Sequence, residues 1–158
     1  MIGKTTAAAV TILFLTIPFL AAPAFSAKPK ALSGTEVIYS GPPYGPADHW
    51  AGPIMGAIMG TVAFWETNGG ADNYIVGNTE HFFETFQITT YCGNISGSDK
   101  GLWSLVTFVF RADGQVTAAT GCYAGLVGFK FHEQGVTSDP FAPNMAYVVG
   151  IAKWSLTP

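Results

Sequence analysis

The chain of 158 residues has the length of about one domain, a formal net charge of -3, and 10 acidic against 7 basic side chains. This charge balance excludes the strongly basic surface that nucleic-acid-binding domains need. Hydrophobic residues make up 49% of the sequence and aromatic residues 14%. The composition therefore supplies enough apolar material for one well-filled core.

Residues 1–26 have the layout of a secretory signal peptide. Lys4 precedes the apolar run AAAVTILFLTIPFLAA, and small residues follow at Ala24 and Ser26. A membrane anchor is the alternative, but Pro18 interrupts the apolar stretch, which is shorter than the roughly 20 residues that a membrane span requires. The sequence predicts cleavage after Ser26 or Ala24. The mature chain is then secreted, periplasmic or otherwise extracellular, with no stable membrane insertion after cleavage.

Residues 27–50 are predicted to form an extended lead-in to a single domain at 51–158. The lead-in is rich in proline and glycine, and proline fixes φ and removes a backbone hydrogen-bond donor. Within it, the motif TEVIYS at 35–40 can pair as a first, edge strand.

Seven or eight short β-strands are predicted in all. Alternating apolar and polar residues recur between turn signals, and no window of a dozen residues has helical spacing without a glycine. The segment CGNISGSDKG is expected to break the chain between two strands, and Asp113-Gly114 is a strong hairpin signal. Beyond the lead-in, the predicted strands are 59–66, 74–76, 80–91, 103–111, 116–120, 126–134 and 146–154.

A small closed antiparallel β-barrel is the favoured all-β architecture, and a β-sandwich is the alternative. Closure removes exposed sheet edges. Glycines predicted to lie inside strands, at Gly60, Gly128 and Gly150, would form the corners at which a small barrel bends.

Two cysteines, Cys92 and Cys122, both remain after cleavage of the signal peptide. In an exported protein such a pair forms a disulfide more often than it stays as two free thiols. The bond would close a loop of about 30 residues, for which chain entropy gives about 3 to 4 kcal/mol. Neither cysteine belongs to a C-x-x-C pair, and no histidine lies at ligand-like spacing from them. No metal site is therefore predicted.

The segment FRADGQVTAATGCYAGLVGFKFHEQG resembles a region of the allene oxide cyclase and dirigent-like β-barrel superfamily, and of related small secreted bacterial proteins of unknown function. The shared pattern is T-G-x-(Y/F)-x-G-x-x-G, and the similarity extends over about residues 80–134. It implies a strand that crosses a barrel corner, export from the cell, and an isomerase or cyclase activity. The matching positions are Thr120, Gly121, Tyr123, Gly125 and Gly128.

Glu84 and Glu66 are the candidate catalytic residues. Glu84 shares one face of the predicted strand 80–91 with Phe82 and Phe86, because side chains alternate along a strand. If that face is internal, desolvation raises the proton affinity of Glu84 and makes it a candidate general acid or base. Burial of a lone carboxylate is costly, so the favoured interpretation is a solvated Glu84, or a buried carboxyl that a neighbouring hydroxyl satisfies.

The sequence leaves three functions open. A barrel that binds a small apolar or aromatic ligand comes first, as a monomer or homodimer without cofactor. An enzyme that positions a reactive intermediate is the second, as the resemblance implies, and a structural or surface-interaction module with a filled interior is the third. The candidate ligand-binding side chains are all aromatic, at Phe64, Phe82, Phe86, Tyr123 and Phe131.

Overall fold

β-Strands form most of the chain in the computed structural model, which describes residues 30–46, 48–143 and 146–158. The predicted signal peptide lies outside the described residues. Two short 3-10 segments, Thr67–Gly70 and Gly121–Leu126, complete the regular structure of the described part. The strands are β1 Leu32–Ser40, β2 His49–Gly56, β3 Gly60–Glu66, β4 Tyr74–Val76, β5 Thr79–Thr89, β6 Asn94–Ser104, β7 Val109–Ala119, β8 Lys130–Thr137 and β9 Val148–Thr157.

Eight of the described strands close into an antiparallel barrel. The sheet runs in the order β3-β2-β1-β9-β8-β7-β6-β5, and β3 pairs with β5 to complete the ring. Strand β4 pairs with β5 outside the ring, and its three residues are exposed. The predicted all-β barrel is confirmed, and the alternative of two stacked sheets is wrong. The search for long apolar helices able to cross a membrane found none among the described residues.

The interior of the barrel is packed at one end. Phe64, Phe86 and Phe131 project inward from three strands, with ring centroids 4.6 to 6.3 Å apart. Trp154 and Leu156 of β9 are also almost fully buried there. This end carries the short β2–β3 and β5–β6 turns and the β7–β8 connection, and aromatic packing fills it.

The predicted hairpin at Asp113-Gly114 is wrong, because β7 runs straight through both residues. The chain reverses instead at residues 105–108, where the Phe108 N–H donates to the Ser104 carbonyl at 2.8 Å. The predicted break CGNISGSDKG forms most of β6. Both corrections have a related cause, because these glycines lie within paired strands and leave no room for a side chain. A Cβ at Gly97 or Gly101 would clash with the rings of β5, and a Cβ at Gly114 would clash with β6 at Asp99.

The lead-in 27–50 is largely part of the barrel. Its described portion contains β1, which pairs with β2 on one side and β9 on the other, and the first residues of β2. The motif at 35–40 is therefore a strand, as predicted, but an inner one with two neighbours.

Of the three glycines that were expected to lie inside strands, Gly150 lies within β9, Gly60 is the first residue of β3, and Gly128 lies between strands. Gly121–Leu126 forms the 3-10 segment that joins β7 to β8, and Gly128 precedes β8. Gly121 has a φ of 61°, and a Cβ there would clash with the Cys92 carbonyl oxygen. Glycine is thus required at this crossing of two backbones.

The disulfide between Cys92 and Cys122 is confirmed, with the two Cα atoms 5.8 Å apart. It connects the β5–β6 turn to the 3-10 segment before β8. The bond therefore closes the packed end of the barrel.

Candidate functional site

The other end of the barrel holds a cavity of about 400 Å³. It lies where the β1–β2, β6–β7 and β8–β9 connections meet, above the packed aromatic core. This volume is within the range of small-molecule sites. Among the described residues, the lining comprises Ile38, Ser40, Gly41, Pro42, Trp50, Phe64, Glu66, Glu80, Phe82, Glu84, Trp103, Phe110, Glu133, Thr137, Pro140, Ala146, Tyr147 and Val148.

Six of the residues that line the cavity are aromatic: Trp50, Phe64, Phe82, Trp103, Phe110 and Tyr147. Trp103 is fixed in orientation because its indole N–H donates to the Thr137 hydroxyl at 3.1 Å. At the mouth, Tyr147 and Tyr44 meet edge to face at 5.0 Å, and Tyr44 stacks on Tyr39 at 4.5 Å. The wall thus presents several flat apolar faces and aromatic edges to a bound molecule.

Four glutamates line the same cavity. Glu84 and Glu133 are buried, at 8% and 2% exposed, whereas Glu66 and Glu80 are half-buried. Alternation along β3, β5 and β8 turns each of these side chains to the same side as buried aromatic residues. The cavity therefore combines an apolar wall with carboxyl groups.

Two further buried acids lie close to these glutamates. Asp99 of β6 is the register partner of Glu84, which is in turn the partner of Glu66, so three acids align across β3, β5 and β6. Glu36 on β1 is fully buried and interacts with Glu133. The barrel interior thus holds an acidic group defined by Glu36, Glu84, Asp99 and Glu133.

The acidic group has few partners. Apart from the contact between Glu36 and Glu133, no hydrogen-bond partner is found for either oxygen of Glu36, either oxygen of Asp99, or Oε1 of Glu133 within the described part of the chain. The one ion pair in that part joins His132 and Asp113 on the outer surface. Two carboxyls can hydrogen bond only when one of them holds a proton, so contact between Glu36 and Glu133 requires a protonated partner.

Burial raises the pKa of each member of the acidic group, because desolvation disfavours the charged form. The pKa of Glu36 rises to about 7, although its hydrogen bond with Glu133 acts in the lowering direction. Burial, with a smaller contribution from the charge of Glu36, raises the pKa of Asp99 to about 8. The pKa values of Glu84 and Glu133 are well above the usual range, first through burial and then through the neighbouring acids.

Glu66 differs because it is half-buried at the side of the cavity. Burial raises its pKa, and the nearby charges of Glu80 and Asp48 act in the same direction. Burial therefore favours the protonated form of the carboxyls at the buried end of the cavity, and a protonated carboxyl can donate a hydrogen bond or a proton.

The structure brings four of the seven predicted site residues together. Glu84, Glu66, Phe64 and Phe82 all line the cavity. The interpretation of a solvated Glu84 is wrong, because the closed barrel turns its face of β5 inward and buries the side chain.

The remaining three predicted site residues lie elsewhere. Phe86 and Phe131 belong to the packed core beneath the cavity. Tyr123 lies in the 3-10 segment at the closed end, where it packs against the core from outside. The pattern that selected Tyr123 was the glycine motif, which marks a chain connection here.

Several lining residues were not predicted. Glu133 lies two residues after Phe131, so alternation along the strand places both side chains on one face. Glu133 was nevertheless not selected from the sequence as a site residue. Trp103 and Phe110 were assigned to one strand, whereas they face each other across the β6–β7 pair. Asp99 lies in a segment that was predicted as a break between strands. Glu36 lies in the predicted edge strand 35–40, whose side chains were not assigned to a face.

No family model, curated protein or solved structure matches this chain. The resemblance to allene oxide cyclase and dirigent-like barrels thus stays an expectation from the sequence. In the described part of the chain, no three His, Cys, Asp or Glu side chains are placed to hold a metal ion.

Proposed function

We propose that the protein is exported and binds a small, largely apolar molecule in the barrel cavity. The observation that carries the proposal is the chamber itself: about 400 Å³ bounded by aromatic side chains, above a packed core. A structural module would have its interior filled with side chains. The disulfide supports an oxidising compartment outside the cytoplasm.

Titration with N-phenyl-1-naphthylamine tests this proposal. This neutral fluorophore has an apolar body and one N–H donor, which suits the carboxyls at the buried end. We expect saturable fluorescence enhancement with one site per chain. Val148→Trp should weaken binding, since Val148 lines the cavity. The matched control is Val136→Trp, at an exposed outward position on the adjacent strand β8.

Two results would contradict ligand binding in the cavity. One is the absence of saturable enhancement in the unmodified protein. The other is an equal affinity of the two tryptophan variants, which would place the probe on the outer surface.

Acid-base catalysis of the isomerase or cyclase type is the second candidate function. The specific observation is that Glu84 and Glu66 both border an aromatic chamber, where burial raises their proton affinity. A protonated Glu84 supports a general acid, and its ionised form a general base in apolar surroundings.

The elimination reaction of 5-nitrobenzisoxazole provides a probe of a general base in this chamber. A base removes the carbon-bound proton, the N–O bond breaks and a coloured phenolate nitrile forms. We expect a rate that increases with pH as Glu84 ionises, and that is lost in Glu84→Gln. The control is Asp72→Asn, which removes an exposed acid. Equal rates for both variants and the unmodified protein would exclude catalysis by Glu84.

A further inference from the structure

The ionisable carboxyl groups that line the cavity have no basic side chain beside them among the described residues of its wall. Glu66, Glu80, Glu84 and Glu133 line it, and no described lysine, arginine or histidine does. Carboxyl groups buried in low-dielectric surroundings without a cationic partner are costly. A ligand that supplies the missing donor or positive charge would offset part of this cost on binding.

Glu133 both lines the cavity and has a buried carboxyl oxygen without a protein partner in the described part of the chain. Glu133 is 2% exposed, lines the cavity, and has an Oε1 atom without a hydrogen-bond partner in the described residues. A donor on a bound molecule can satisfy this oxygen without competition from a protein group.

The aromatic wall favours the same kind of ligand. Trp50, Trp103 and Phe64 line the cavity together with the glutamates. The face of an aromatic ring attracts a cation, and the attraction is stronger when the site excludes water. Aromatic rings combined with carboxylates form the usual recognition site for organic ammonium groups.

We infer that the preferred ligand is an organic amine, with a protonated nitrogen bound at Glu84 and Glu133 and an apolar body held by the aromatic wall. The inference rests on the proposed ligand-binding function and specifies its ligand class. Glu66 and Glu80, half-buried at the side of the cavity, attract the cation on entry.

Binding of an amine should release a proton. The charged groups that act on Glu84 are acids: Glu66 on β3, Glu80 on β5, Asp99 on β6, Glu36 on β1 and Glu133 on β8. The exposed Lys100 of β6 lines a second pocket together with Glu84 and does not line the ligand cavity. A bound cation stabilises the ionised form of a neighbouring carboxyl, so that carboxyl gives up its proton to the buffer.

Calorimetric titration with three naphthalene derivatives tests the ligand class. The probes are 2-(1-naphthyl)ethylamine, 2-(1-naphthyl)ethanol and 1-naphthylacetate, which share an apolar body and carry a cation, a neutral donor and an anion. We expect the amine to bind on the order of ten-fold more tightly than the alcohol, and the acetate to bind most weakly. Titration of the amine in two buffers of different ionisation enthalpy should show about one proton released, as one carboxyl ionises.

Variants that remove one carboxyl locate the effect. Glu133→Gln and Glu84→Gln should each bring the amine and alcohol affinities together, whereas Asp72→Asn should keep the difference. The ratio of affinities is the readout, so a general loss of stability in one variant does not imitate the result.

The outcomes separate the two proposals. If the alcohol binds as tightly as the amine or more tightly, the ligand class is wrong and the binding function stands. If the amine preference survives in both glutamine variants, the placement at these glutamates is wrong. If none of the three probes binds and N-phenyl-1-naphthylamine does not bind either, both the ligand class and the proposed binding function are wrong.

Discussion

The stability of the barrel should decrease as pH rises from 5 to 9, and Glu36 should account for a measurable share of the decrease. Glu36 is fully buried, and its pKa rises from 4.5 to about 7 on folding. The folded protein therefore holds a proton that the unfolded chain has released over this interval. Its stabilising contribution is fully present below pH 4.5 and is lost as pH rises through about 7.

The magnitude follows from the difference in proton affinity. Raising the pKa from 4.5 to about 7 corresponds to about 3 kcal/mol. Asp99, with a pKa raised to about 8, changes stability in the same direction over a higher interval. Free energies of unfolding are typically about 5 to 15 kcal/mol, so the loss should be a large fraction of the total.

Glu36→Gln isolates this contribution. Glutamine keeps the size of the side chain and a carbonyl that accepts from protonated Glu133, but it cannot ionise. Urea unfolding should be followed by tryptophan fluorescence at pH 5, 7 and 9 with the disulfide intact. We expect the loss of unfolding free energy between pH 5 and 9 to be about 3 kcal/mol smaller in the variant.

The comparison uses changes with pH within each protein, so an overall shift in the stability of the variant does not affect it. Asp72→Asn, at an exposed position, serves as the control and should keep the pH dependence of the unmodified protein. Parallel stability curves for Glu36→Gln and the unmodified protein would refute the reasoning about buried, proton-holding acids.

Three other changes have defined outcomes. Gly101→Ala should lower the free energy of unfolding by about 1 to 3 kcal/mol, because a Cβ at Gly101 would clash with the Phe82 ring. The same change should weaken N-phenyl-1-naphthylamine binding, since Phe82 lines the cavity. An unchanged affinity together with an unchanged unfolding midpoint would contradict this. Reduction of Cys92–Cys122 should lower the free energy of unfolding by about 3 to 4 kcal/mol, and equal urea midpoints with and without reductant would remove that expectation. Glu84→Leu should raise stability at pH 8, where the buried acid is unfavourable, and an unchanged or lower midpoint would count against a costly Glu84.

Alternation of bulky side chains predicted several of the strands, but the predicted strand 103–111 is wrong, because the chain reverses within it between β6 and β7. The long strand around Phe86 and the final strand around Trp154 were found because aromatic and β-branched residues alternate with polar ones. Closure into a barrel also needs β1 to pair with β9, which lies more than a hundred residues later, and it was inferred only from the need to remove edges.

Glycine was the main source of error. Asp113-Gly114 has the composition of a tight turn, yet Gly114 pairs within β7 and leaves no room for a side chain beside Asp99. Gly101 similarly accommodates the Phe82 ring. Local composition does not distinguish a glycine that turns the chain from one that makes space for a distant ring.

For the same reason, only part of the candidate site could be predicted from the sequence. Glu84 and Glu66 lie on strands that the sequence defined, and both line the cavity. Asp99 lies on a strand that was predicted as a break, and Glu36 lies on a strand that was predicted as an edge strand outside the core, so the acidic group could not be assembled. Its lack of basic partners is a property of the closed barrel and emerges only when all of its strands are in place.

A crystal structure of the mature protein with N-phenyl-1-naphthylamine would test the central claim most directly. We predict electron density for the probe inside the barrel, between Trp50 and Trp103, with its N–H within hydrogen-bond distance of Glu84 or Glu133. A barrel interior without the probe, with density only on the outer surface, would contradict the claim that this cavity is a binding site.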